Sequence, residues 1–191
     1  MTQEDTMTEI QRYTLVQRLL HWLIALLVLL ALGVGMTLGF LGFDGTLATF
    51  GKMGTDALYT SHKTIGIMVL AFMLLRLGFR LSKGAPPYQP PLSGFERVAS
   101  HTVHGLLYVT LLAMPILGWL ATGAGGYPVS FFGWTLPGWI GKDRVLSETL
   151  FSFHGLIGWV LLSLIALHVG AALQHWLIKR DGVMTRMSLF R

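Results

Sequence analysis

With 53% apolar side chains, 12% charged ones and a mean hydropathy of +0.61 over 191 residues, the chain is much less charged than a soluble domain, where about 25% is usual. It reads as one integral membrane domain over 1–191, and its net charge of +5 fits membrane topology rather than a nucleic-acid partner. The lack of cysteine excludes disulfides, iron–sulfur clusters, thiolate metal sites and haem attached through Cys-x-x-Cys-His, leaving histidine, methionine or carboxylate for any metal.

In chain order, the polar opening MTQEDTMTEIQRYTLVQR runs into a long apolar stretch with no Ala-x-Ala site, the pattern of a membrane anchor rather than a cleaved signal peptide. Four segments supply the roughly 20 apolar residues that a spanning helix needs: about 19–41, 60–81, 98–122 and 151–178. The expected fold is therefore all-α, a four-transmembrane-helix bundle. The links carry turn signals. Gly42 to Gly54 is glycine-rich, Ser82 to Gly94 contains Pro86, Pro87, Pro90 and Pro91, and Gly123 to Gly141 is rich in Gly, Pro and aromatics.

Orientation follows from the basic residues. Arg12, Arg18, Arg76, Arg80, Lys83, Arg97, Lys179, Arg180, Arg186 and Arg191 fall on one side, ten in all. Four, Lys52, Lys63, Lys142 and Arg144, fall on the other, offset by Asp44, Asp56, Asp143 and Glu148. This puts both termini in the cytoplasm and the 123–150 loop outside. Tyr127, Phe131, Phe132, Trp134 and Trp139 of that loop suit an interfacial aromatic belt, with a short helix lying in the surface.

All seven histidines lie in or at the edge of the spans. A polar ring in hydrocarbon is costly and normally marks function. His154 and His168 share the last span, and fourteen residues of helix give a rise of about 21 Å and a rotation within roughly 40° of whole turns. Both rings leave one face at different depths, as two stacked cofactors ligated from one helix require. His62 is the other histidine at the depth of His154. For His168 the candidates are His21, in RLLHW, and His104, with His101 nearer the surface; periodicity does not choose between His21 and His104.

Haem suits such pairs, since its iron accepts axial imidazoles from two sides and its potential is tuned by ligation and burial. Zinc normally takes three or four ligands. Gly66, Gly155, Gly158 and Gly170 keep backbone near the histidines slim, and Arg18, Lys63 and Arg76 are cations for propionates. Plainer readings stand beside these. His101 and His175 suit helix–helix hydrogen bonding, spanning glycines are commonly packing sites, and Arg76 and Arg80 follow from the positive-inside rule alone.

RLLHW, SHKTIG, RVASHTVHGLLYVTLLAMPILGW and FHGLIGW…LHVGAALQHWLIKRDGVMTRM together resemble the bacterial cytochrome b561 family, small dihaem proteins of the inner membrane. The likeness runs over nearly the whole chain from Arg12. It implies two b haems, with His62 and His154 ligating the periplasmic one and His21 and His168 the cytoplasmic one. His104 and His101 are then left for the second shell or a quinone site. It also implies ubiquinone as the membrane electron partner. Stand-alone members similar to this chain oxidise periplasmic superoxide, and Lys63 beside His62 is the residue expected to attract that anion. By analogy with formate dehydrogenase subunits, quinone is expected near His168 and Arg76. The alternatives are a membrane subunit linking a hydrogenase or dehydrogenase to the quinone pool, and a haem-free, histidine-lined metal carrier.

Overall fold

The computed structural model describes residues 10–190, so Arg191 and residues 1–9, part of the charge reading above, lie outside the described residues. Among the described residues, three helices are long and apolar enough to cross a membrane. They are α1 (Leu15–Lys83), α2 (Gly94–Ala124) and α3 (Arg144–Leu173), the last continued by a π-helical turn over Gln174–Lys179. The expected link at 42–54 is itself helical, so the first two expected segments belong to one element.

That element is folded back on itself. A straight helix of 69 residues would be about 100 Å long, yet Gln17 near its start donates to the Phe79 and Gly84 carbonyls at 3.4 and 3.1 Å, and Arg76 donates to the Gln17 carbonyl at 3.0 Å. The bends are at Gly42 (φ 63°, ψ −177°) and Gly51 (φ 67°, ψ 177°), a conformation essentially reserved for glycine. Thr46 and Thr55, each four residues beyond a bend and almost fully buried, donate to the Gly42 and Gly51 carbonyls at 2.6 and 2.8 Å. Glycine thus opens each bend and a threonine hydroxyl closes it. The arms, 15–41 and 52–83, run side by side.

Helix starts follow local chemistry. Thr14 with Gln17, and Ser93 with Glu96, form reciprocal capping boxes, while the Asp143 carboxylate accepts from the Leu146 amide at 3.0 Å. The Asp143 cap is why α3 begins at Arg144, a turn or more before the apolar run. The aromatic loop differs from expectation: it holds a hairpin, β1 (Val129–Phe131) with β2 (Trp134–Leu136), and no surface helix. Phe132 (φ 46°) and Gly133 (φ 83°) make the two-residue turn with positive φ at both positions that favours a tight hairpin. Tyr127, Phe132, Trp134 and Trp139 remain exposed there.

The sealed core is small. Ile24, Leu27, Val28, Val69, Met73 and Leu161 bring both arms of α1 against α3. Most large apolar side chains face outward instead, as a bundle surrounded by hydrocarbon requires. At the end away from the hairpin, the last residues form a strap. Arg12 and Arg18 donate to the Ser188 carbonyl, Trp22 donates to Met187 at 2.9 Å, and Arg186 donates to the Pro86 carbonyl while stacking on Tyr88 with 3.8 Å to the ring centre.

Candidate functional site

Toward the hairpin end, the second arm of α1 presents His62 and α3 presents His154, with ring centroids 6.0 Å apart and planes at 78°. Two imidazoles sharing one metal at about 2.0–2.1 Å from each nitrogen have centroids roughly 6 to 6.5 Å apart, so the pair has the separation of a bis-imidazole site. Beside it is a cavity of about 300 Å³ whose lining is almost wholly apolar, including Val28, Met36, Val69, Leu111 and Trp159. Both rings reach this cavity, as do Gly66, Gly155 and Gly158.

The rings are held from behind. The Met114 carbonyl can only accept, so the 3.1 Å contact fixes His154 as the Nδ1–H tautomer and leaves Nε2 free as a ligand. His62 Nδ1 makes no hydrogen bond of good geometry, although the Ala31 backbone is within reach of the ring. A methyl group on Gly35 would lie 2.7 Å from His62 Cε1, and one on Gly118 would lie 3.0 Å from His154 Cε1. Gly35 and Gly118 were not among the glycines singled out from sequence. They are far along the chain from the histidines they face, and the chain shows no local signal for them.

Fourteen residues along α3, His168 meets two rings rather than one. His21 is 6.1 Å away at 78°, and His104 is 5.1 Å away at 78°. His21 has the spacing found at the other pair. His104 is closer than a shared axial metal would need, and its Nδ1 donates to the carbonyl of Ser100 on its own helix at 2.6 Å. Arg76 is near enough for its charge to act on all three rings, while its Nη1 is bonded to Gln17. Among the described residues no cluster of three or more histidine, aspartate or glutamate side chains has metal-holding geometry.

The remaining residues are distributed as follows. Arg18 Nη1 donates to the Ser188 carbonyl at 2.7 Å, so its guanidinium is turned to the C-terminal strap. Lys63 donates to the Pro128 carbonyl at 2.8 Å, next to β1, where a neutral partner leaves its charge uncompensated. His101 is exposed, near His104 on the same helix. His175 is buried, donating to the Asp181 carboxylate at 2.5 Å, which makes it part of the strap's anchorage. Burial by itself pushes the Asp181 carboxyl up, but hydrogen bonds from His175 and the Val183 amide outweigh it and hold it below its ordinary value.

The chain matches the family described as prokaryotic cytochrome b561 over residues 12–188. It is 30% identical to "Cytochrome b561 homolog 2" of Escherichia coli K12, over 93% of this chain and 91% of that one. It is 28% identical to "Cytochrome b561 homolog 1" of the same organism, over 92% and 96%. It is also 28% identical to "Probable superoxide oxidase CybB" of Yersinia pestis, over 93% and 96%. The chain belongs to the prokaryotic cytochrome b561 family, which implies haem b, electron transfer and a multi-pass place in a membrane. Haem takes the place of the metal-carrier alternative.

Proposed function

We propose that this family member is a four-span cytochrome of the bacterial inner membrane that binds two b haems and moves electrons from periplasmic superoxide to ubiquinone. The observation that carries the reading is the recurrence of one geometry at two depths. His62 faces His154 at 6.0 Å and His21 faces His168 at 6.1 Å, with one ring of each pair on α3. In this reading each pair supplies the axial imidazoles of one haem, and the cytoplasmic site takes His21 rather than His104. The two arms of α1 together with α2 and α3 make four crossings, which put the chain's ends on the more basic side.

Haem b bound at such sites supplies one-electron oxidation and reduction. The chain's own residues do the rest. The apolar lining of the cavity around His62 and His154 disfavours water there. Met114 holds the His154 tautomer. Arg76 brings positive charge to the His21, His104 and His168 cluster, where a propionate or a quinone oxygen would be received. Lys63 attracts the superoxide anion to the hairpin end. In the net reaction two superoxide ions lose one electron each and become two O2, while ubiquinone takes those two electrons and two protons to become ubiquinol. The name of the Yersinia pestis relative supports superoxide as donor.

The test is superoxide consumption by purified protein with ubiquinone, read as O2 released per quinol formed. The expected ratio is two to one. Lys63→Ala should lower the rate by at most about tenfold at low salt and flatten its salt dependence. No superoxide consumption above background, with a hydrogenase or dehydrogenase subunit co-purifying in fixed ratio, would overturn this reading in favour of a membrane subunit of such a complex.

A further inference from the structure

α2 carries a proline in mid-helix, and the carbonyl just before it is the one that His154 uses. Pro115 has no N–H, so the Leu111 carbonyl has no donor from within the helix at that turn. One residue back, the Met114 carbonyl takes the His154 Nδ1–H at 3.1 Å. One turn on is Gly118, where an added Cβ would stand 3.0 Å from Cε1 and 3.2 Å from Nδ1 of His154. The imidazole therefore lies in a seat with a carbonyl at its Nδ1 edge and bare backbone beneath its Cε1–Nδ1 bond. A side chain at 118 would require the ring to shift by a few tenths of an ångström against that carbonyl.

We infer that Gly118 is a positioning residue. It lets His154 hold the hydrogen bond to Met114 and thereby makes this imidazole a stronger electron donor than the same ring without that bond. The inference rests on the reading of His154 as an axial haem ligand. His62 is seated in a similar way, against Gly35, with the Ala31 backbone within reach of its ring. A ligating histidine that donates its second N–H to a carbonyl is more basic at the ligating nitrogen. A more basic axial ligand favours the oxidised iron and lowers the potential. The same ring without the bond would have the higher potential.

The experiment compares wild type, Gly118→Ala, Gly33→Ala and His154→Ala, each purified with its haem, by haem-to-protein ratio and potentiometric titration. Gly33 is an exposed helical glycine whose added methyl group meets nothing within 4 Å, so it controls for the general effect of glycine replacement. In Gly118→Ala the haem that His154→Ala abolishes should titrate at a higher potential, or be lost alone, with the other haem unchanged. Wild-type potentials and haem content in Gly118→Ala, or the same shift in Gly33→Ala, would overturn the inference while leaving the ligand assignment standing. Retention of both haems in His154→Ala would instead overturn the assignment itself. If Gly118→Ala does not fold, Pro115→Ala decides: it gives the Leu111 carbonyl a donor and resets the turn carrying the Met114 carbonyl. An upward shift of the same haem supports the seat, and an unchanged potential contradicts it.

Discussion

His175 and Asp181 show how much of the strap depends on single side chains. The imidazole donates to a carboxylate that is held below its ordinary pKa, so the folded protein prefers Asp181 ionised. A depressed carboxyl contributes stability that is complete above its unfolded value, about 3.9, and is lost as pH falls through the lower folded value. Thermal unfolding followed from neutral to acid pH should show this loss. Asp181→Asn should remove that part of the acid dependence and cost about 1–2 kcal/mol at neutral pH. An unchanged acid limb in the variant would contradict the role given to the pair. The histidines themselves were legible as candidates, because an imidazole in an apolar span stands out against its neighbours. What each ring leans on was not legible. Met114 and Gly118 are ordinary helix residues whose meaning depends on α3 lying against α2.

At the scale of elements, α1 decides the architecture, and its bends depend on two glycines. A side chain at Gly42 or Gly51 would be forced into backbone territory that costs about 1–3 kcal/mol. Gly42→Ala and Gly51→Ala should each lower thermal stability by about that amount, whereas Gly33→Ala, in an ordinary helical conformation with open space around it, should leave it unchanged or raise it by about 1 kcal/mol. Equal effects at all three positions would contradict the account of the bends. Glycine content correctly marks 42–54 as the place where the chain reverses. It does not reveal that 43–50 stays helical, because that depends on Thr46 and Thr55 turning inward to the carbonyls of the bends. The hairpin escaped notice for a related reason. Strands of three residues are too short for a pattern of alternation, and its turn is signalled by Gly133 alone.

Across the whole molecule, the two ends are closed differently. The hairpin end presents exposed aromatics and the Lys63 ammonium. The other end is tied by a strap that reaches the first arm of α1 and the link before α2. Arg186 is central to that strap, buried, with Tyr88 at 3.8 Å and Tyr13 at 5.5 Å from its guanidinium. Arg186→Ala should cost about 2 kcal/mol or more in thermal unfolding and expose the tail to protease, and Arg186→Lys should recover only part of the loss. Wild-type stability in both variants would mean that the strap is held elsewhere.

The central claim, that His62 and His154 ligate one haem while His21 and His168 ligate another, is tested most directly by a reduced-minus-oxidised spectrum. The spectrum is taken on purified wild type and on His62→Ala, with the haem-to-protein ratio measured for each. The account predicts b-type bands with two haems per chain in the wild type and one in the variant. Two haems retained in His62→Ala, or no haem bands in wild type produced with ample haem, would contradict it.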